Sequence, residues 1–122
     1  MSEVRKLNDH VVEYDTANQL EICVLDEPGQ GNACHEYAIL AGGVLLCKIS
    51  FQNGPIKQFG VNGVTQEALL TVVIDRLRSF QAGPFSCRDN AVALTHCEEA
   101  LMWLQRRTRD RIKRGVEGTN AK

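Results

Sequence analysis

The sequence predicts an α+β protein in which a small antiparallel β-sheet is followed by a two-helix antiparallel hairpin that mediates oligomerisation. Up to residue 61, short apolar runs alternate with turn segments rich in Gly, Asn and Pro. From Thr65 onward, apolar residues recur at the three- to four-residue spacing of a helix. This second pattern is interrupted at Ala82-Gly83-Pro84, which predicts two helices. We therefore divide the chain into a β-rich region (1–61), a helical hairpin (62–115) and a polar tail (116–122).

The predicted strands lie at residues 11–14, 20–25, 35–41, 44–51 and 56–61. Gly42-Gly43 separates two of them by two residues, which suits a hairpin turn with positive φ angles. Asn53-Gly54-Pro55 indicates another turn, after which residues 56–61 are expected to return antiparallel to the preceding strand. The result is a sheet of four to five strands, one face of which needs a cover.

The two predicted helices begin and end at recognisable signals. Thr65 is expected to cap the first helix, whose apolar residues cover more than half of its circumference. Ser86 and Asp89 have the spacing of a capping box, and the second helix is expected to run from there to Arg114 before Gly115 ends it. Because a hairpin cannot bury so wide an apolar surface alone, we expect it to cover the sheet, to pair with another subunit, or both.

Composition favours a soluble, cytoplasmic protein without a cofactor. Apolar residues make up 43% of the chain and charged residues 24%, as in ordinary globular proteins. The first ten residues have no apolar core of a secretory signal, and no apolar run reaches the length of a membrane span. The five cysteines form no C-x-x-C pair and are not at zinc-ligand spacing with the three histidines. We therefore expect no disulfide and no metal site, and expect strand cysteines to be buried.

Charge is distributed unevenly along the chain. The net charge is −1, but residues 1–64 carry −4 and residues 65–122 carry +3. Six basic side chains lie within residues 106–114, opposed by one acid. Arg107 and Arg111 are four residues apart, on one helical face, and guanidinium groups in this arrangement can hold one phosphate group together. The alternative is a solvated helix end whose cations meet the C-terminal dipole.

An aromatic group is predicted at the hairpin turn. Phe80 and Phe85 flank the break between the helices, and Asn90 follows in the second helix. An aromatic face can stack on a nucleobase and an amide can hydrogen-bond to it, although core packing is the ordinary role of such a Phe. No nucleophile, phosphate-loop or metalloprotease motif accompanies them, so we do not expect an enzyme.

These residues resemble a known domain. Residues 54–119 are similar to the hairpin domain shared by the phage Thoeris anti-defence 1 proteins and the anti-CBASS 2 cyclic-nucleotide sponges. The matching segments are Gly60-Val61-Asn62-Gly63-Val64-Thr65, Asp75-Arg76-Leu77, Phe80-Gln81-Ala82-Gly83-Pro84-Phe85 and Arg114-Gly115-Val116-Glu117-Gly118-Thr119. The β-rich first half, which the hairpin-only sponges lack, favours the Thoeris anti-defence 1 family.

The resemblance implies a non-enzymatic sponge in the cytoplasm of the host bacterium. Members of that family sequester cyclic ADP-ribose isomers made by TIR-domain proteins, glyco-cyclic ADP-ribose among them. Some also bind cyclic trinucleotides of the CBASS pathway at a second site. Carried over by motif, Phe80 would stack on the adenine, Asn90 would hydrogen-bond to the ligand, and Arg107 and Arg111 would hold the diphosphate. Lys57 would add a basic contact from the β half.

The spacing of these residues predicts a site shared between subunits. Asn90 and Arg107 are 17 residues apart on one predicted helix, which is roughly 25 Å. They cannot line one small-molecule pocket within one subunit. If all four residues touch one ligand, as the resemblance implies, the pockets lie between two antiparallel hairpins, two per dimer, and we expect a dimer or a hexamer built as a trimer of dimers.

Three other functions compete with this interpretation. A sponge for cyclic di- or trinucleotides would use the same basic and aromatic residues. A nucleic-acid-binding helical module is disfavoured by the acidic first half and a pI near 6.3. An enzyme would need a catalytic group that the motifs do not indicate. We expect neither nucleic acid nor a membrane among the partners.

Overall fold

The computed structural model describes residues 3–15 and 19–122, so residues 1–2 and 16–18 of the predicted β-rich region lie outside it. The α+β class is confirmed, because a four-stranded sheet precedes the helices. The elements are β1 (Arg5–Leu7), β2 (Leu20–Val24), a 3₁₀ turn (Gln30–Asn32), β3 (Glu36–Ala41), β4 (Val44–Ser50), α1 (Ile56–Phe59), α2 (Gln66–Gln81) and α3 (Arg88–Lys113). Two compact units result: the sheet with residues 59–63, and residues 55–58 with residues 64–122.

The sheet unit is an antiparallel meander in the order β1-β2-β3-β4. Gly42 and Gly43 form the predicted turn between β3 and β4, with φ angles of 54° and 80°. The core of the unit contains Val24 and Ala38, both fully buried. Burial, with a smaller contribution from Glu3, raises the pKa of the Cys23 thiol, which suits a packing role. The prediction that strand cysteines are buried is confirmed for Cys23 but is wrong for Cys47 of β4, which is exposed.

The prediction of a strand is wrong at two places. Residues 11–14 form turns rather than a strand, and the first strand is β1, at residues 5–7. Residues 56–61 contain the short helix α1 and no strand. The amide of Gln52 donates to the carbonyls of Gly54 and Gly60, and Asn62 exchanges two hydrogen bonds with the backbone of Asn53. These side chains satisfy hydrogen-bonding groups of the backbone in the 52–62 loop. Residues 56–61 therefore form no strand, despite their apolar pattern.

Helices α2 and α3 begin and end close to where the sequence predicts. The Thr65 hydroxyl accepts a hydrogen bond from the Ala68 N–H at 3.1 Å and caps α2, as expected. For α3 the predicted cap was Ser86, but the cap is Cys87, whose Sγ accepts from the N–H of Asn90 at 3.4 Å. Gly115 ends α3 with a φ of 71°.

The helices α2 and α3 pack against each other as a hairpin. A salt bridge of 2.8 Å between Arg78 and Glu98 joins them, and Ile74 is the most enclosed apolar side chain of α2. Other apolar side chains of the hairpin are exposed in this chain: Val72, Val73, Val92, Met102 and Trp103. Within the described residues, no helix is long and apolar enough to cross a membrane.

Candidate functional site

The five predicted site residues form two groups at opposite ends of the helical unit. Phe80 and Asn90 flank the turn between α2 and α3. Arg107 and Arg111 lie in the last two turns of α3, and Lys57 lies in α1, which belongs to the same unit. We call the first group the turn group and the second the basic group.

In the turn group, Phe80 is half-buried rather than enclosed in the core. Its ring centroid is 6.4 Å from that of Phe85, and the two planes are inclined by 72°. Phe85 is 71% exposed. The guanidinium carbon of Arg76 lies 5.0 Å from the Phe80 centroid, over the ring. The turn therefore presents two aromatic rings and a cation to the surroundings, which are the components of a nucleobase-binding surface.

Asn90 lies in the first turn of α3, where its backbone N–H is bonded to Cys87. Its side chain is half-buried. Within the described part of the chain, the side-chain amide has no hydrogen-bond partner. The two donors and the acceptor of this amide are therefore available to a ligand near the turn.

In the basic group, Arg107 is exposed and has no ion-pair partner among the described residues. It borders a shallow, open cavity on the surface of α3, formed by side chains of that helix alone, the others being Arg106, Arg109, Asp110 and Lys113. The Asp110 carboxylate is already paired with Arg114 at 3.0 Å. The cavity is therefore strongly positive, and its guanidinium groups suit phosphate oxygens.

Arg111 differs from its neighbours, because it is only 5% exposed. This burial contradicts the alternative interpretation of Arg111 as a solvated cation at the helix end. Its Nε donates to the Glu117 carboxylate at 3.1 Å, and its two terminal nitrogens donate to backbone carbonyls of residues 116–121. Those carbonyls belong to Val116 (3.0 Å), Thr119 (3.1 Å) and Ala121. Gly115 reverses the chain direction, and the buried guanidinium then holds the tail against α3.

Lys57 contacts the same tail. It was predicted to lie in a strand of the β half, but it lies in α1, within the helical unit. Its backbone N–H donates to the carbonyl of Gly118 at 3.2 Å. Gly118 has a φ of 80°, and a Cβ at that position would lie 3.1 Å from Lys57 Cγ. A glycine is therefore needed where the tail passes Lys57.

Two residues that the sequence did not indicate, Arg76 and Glu117, contact members of these groups. Arg76 precedes Phe80 by four residues, and that spacing was the available signal for contact on one helical face. Glu117 was assigned to a polar tail, and nothing local in the sequence indicates its ion pair with Arg111. The structure thus brings Phe80 together with Arg76, and Lys57 and Arg111 together with the tail, but it keeps the two groups apart within one chain.

Comparison with known proteins finds a family and a relative to which this chain is similar. Residues 45–109 match the family described as "Acb2/Tad1, hairpin domain". A protein of Bacillus phage SBSphiJ7 named "Thoeris anti-defense 1" is 53% identical over 77 residues. The match covers 63% of this chain and 54% of that relative, so the chain matches about half of the relative's length. The family match begins in β4 and includes most of α3.

Proposed function

Because the chain belongs to the Acb2/Tad1 hairpin-domain family, we propose that it is a phage anti-defence protein that sequesters a nucleotide signal without cleaving it. The proposed signal is a cyclic ADP-ribose isomer made by TIR-domain enzymes, namely glyco-cyclic ADP-ribose, and the affected immunity is Thoeris. The protein would act in the host cytoplasm as a binding protein rather than as an enzyme.

The observation that best supports this proposal is the exposed Arg107, which has no ion-pair partner among the described residues and lies beside three other basic side chains of α3. Guanidinium groups bind phosphate oxygens in a planar, two-pronged geometry, so a diphosphate is a suitable ligand. At the turn, Phe80 offers a ring for the adenine and Asn90 a free amide for a hydrogen bond. Arg111 and Lys57 would lie beside the diphosphate, where both hydrogen-bond to the C-terminal tail. The Arg111 guanidinium donates to the Val116 carbonyl, and the Lys57 backbone N–H donates to the Gly118 carbonyl.

The distance between the two groups supports a site built from two chains. Asn90 and Arg107 are separated by roughly 25 Å along α3. Antiparallel pairing of two hairpins would bring the turn group of one chain to the basic group of the other, twice per dimer. The exposed Val92, Met102 and Trp103 of α3 give such a pairing an apolar centre. Three dimers would make the proposed hexamer.

The test of this function is native mass spectrometry. The protein is mixed with the products of a TIR-domain reaction, and bound material is released by denaturation and compared with the starting compound. We expect one intact cyclic ADP-ribose isomer for each pocket of the oligomer. Recovery of a cleaved product would indicate an enzyme, and the absence of any bound nucleotide would contradict the proposal.

A sponge for CBASS cyclic di- or trinucleotides is the second candidate. Four basic side chains around the α3 cavity could accept more phosphate groups than one diphosphate supplies. The same mass spectrometry with cyclic trinucleotides tests it, alone and in competition with glyco-cyclic ADP-ribose. A salt titration separates both sponges from the nucleic-acid interpretation, since duplex binding weakens steeply with salt.

The proposed assembly gives a first prediction. We expect at least a dimer by light scattering at micromolar concentration, because the isolated 13.6-kDa chain leaves Trp103 59% exposed. Trp103→Asp is expected to shift the mass toward that of the monomer, since it places a charge in the apolar centre. Val61→Asp, at an exposed apolar position of the sheet unit, is the control and should leave the mass unchanged. A monomeric wild-type protein would exclude the shared pocket.

Arg107 gives a second prediction. Arg107→Ala is expected to weaken binding of glyco-cyclic ADP-ribose about tenfold, because one charge-assisted contact to the diphosphate is lost. The melting temperature should stay unchanged, since the side chain is exposed and forms no ion pair with any described residue. Isothermal titration and thermal unfolding measure the two effects. Lys48→Ala, which removes a cation from β4, is the control, and an equal loss there would indicate diffuse electrostatics instead.

A further inference from the structure

The arrangement around Phe80 indicates a residue that the proposed site does not yet include. Arg76 lies one helical turn before Phe80 on α2, and its guanidinium carbon is 5.0 Å from the centroid of the ring. The guanidinium covers a face of the ring rather than its edge. Phe85, in contrast, is inclined by 72° to Phe80 and makes an edge-to-face contact.

Arg76 is free to take part in binding. Its side chain is exposed, and none of the described residues forms an ion pair with it. Arg78, two residues later, is occupied by its 2.8 Å salt bridge with Glu98. The contact with Phe80 is therefore the interaction that positions the Arg76 guanidinium. An exposed cation–π contact of this kind is weak, so a ligand can displace it at little cost.

We propose that Arg76 is a further ligand-binding residue, whose planar guanidinium forms the second wall of a clamp that holds the adenine against Phe80. This proposal rests on the proposed function, because it assumes an adenine nucleotide at the turn group. A planar base between two walls needs about 3.5 Å on each side, or roughly 7 Å in all. The present separation of 5.0 Å must therefore widen by about 2 Å, which an exposed arginine achieves by rotation about its side-chain bonds.

The chemistry of the two walls suits a purine. Arginine guanidinium planes and phenylalanine rings both stack on nucleobases. The positive charge of Arg76 also lies on the side of the base away from the hydrophobic ring, where it attracts the π-electrons of the adenine. The ring of Phe85 is not parallel to that of Phe80, so it would contact the edge of the bound base rather than its face. A lysine at position 76 would keep the charge but would lack the planar surface.

The test compares Arg76→Ala, Arg76→Lys and the wild type in titrations with glyco-cyclic ADP-ribose, with the hypochromism of the adenine absorption band as a second readout. We expect about tenfold weaker binding and reduced hypochromism for Arg76→Ala. Arg76→Lys should stay at least about threefold weaker than the wild type. Arg78→Ala removes the same charge from the same helix and is the matched control, for which we expect wild-type hypochromism and less than about a threefold loss.

Each other outcome has a definite meaning. If the wild type binds the nucleotide and Arg76→Ala binds it equally well or better, Arg76 merely covers the ring and the clamp is wrong. The clamp is also wrong if the loss in Arg76→Ala disappears at high salt, because that identifies long-range charge attraction rather than stacking. If the wild type itself does not bind, the proposed function fails, and the clamp fails with it.

Discussion

Replacing Arg111 with Ala is expected to detach the C-terminal tail and to lower the free energy of unfolding by about 2–4 kcal/mol. The guanidinium is 5% exposed and donates to the Glu117 carboxylate and to three backbone carbonyls. Its removal leaves a cavity and takes the donor away from acceptors of the half-buried Val116 and Glu117, and a polar group that loses its partner where water reaches it poorly is costly. Chemical denaturation measures the stability, and limited proteolysis within residues 115–122 measures the release of the tail.

Two further variants separate geometry from charge. Arg111→Lys keeps the charge but loses the planar fork, so most of the destabilisation should remain. Glu117→Gln removes the ion pair and keeps a hydrogen-bond acceptor, and because Glu117 is partly exposed we expect a loss of less than about 1 kcal/mol. If Arg111→Ala abolishes nucleotide binding with unchanged stability and an intact tail, Arg111 contacts the ligand directly and the tail contact is secondary.

The fold was predictable wherever local signals decide the structure. Thr65 caps α2, Gly115 ends α3, and Gly42-Gly43 forms a hairpin turn, each for a reason contained in a few neighbouring residues. The prediction failed at residues 56–61, where the outcome depends on two side chains, Gln52 and Asn62, that bond to backbone across the loop. The alternation of apolar residues in a sequence does not predict hydrogen bonds between side chains and backbone.

The candidate site was predictable only as a set of residue types. Helical spacing places Arg107 and Arg111 one turn apart on α3, but it does not distinguish the exposed guanidinium from the buried one. That difference arises because the chain reverses at Gly115 and returns over the helix. This is a tertiary contact, which helical spacing does not predict. In the same way, the sequence presented Lys57 as a residue of the β half, whereas its contact with Gly118 lies in the helical unit.

Phe80 is the residue for which we expect the largest loss of binding. Phe80→Ala should weaken binding of glyco-cyclic ADP-ribose about a hundredfold, because the base loses the stacking surface against which Arg76 would hold it. Since the ring is only half-buried, the cost in stability should be about 1–2 kcal/mol, well below that of a fully buried Phe. The oligomer should persist, because the exposed apolar centre of α3 is unchanged.

Titration calorimetry, thermal unfolding and light scattering on the same variant distinguish the two interpretations of Phe80. Phe80→Trp keeps a stacking surface and should retain most of the affinity, whereas Phe80→Leu keeps apolar volume without a ring and should not. Phe85→Ala is the matched control, since that ring meets Phe80 at its edge and is largely exposed; we expect about a threefold loss. If Phe80→Ala unfolds or dissociates while Phe80→Leu binds normally, Phe80 is a packing residue and the base lies elsewhere.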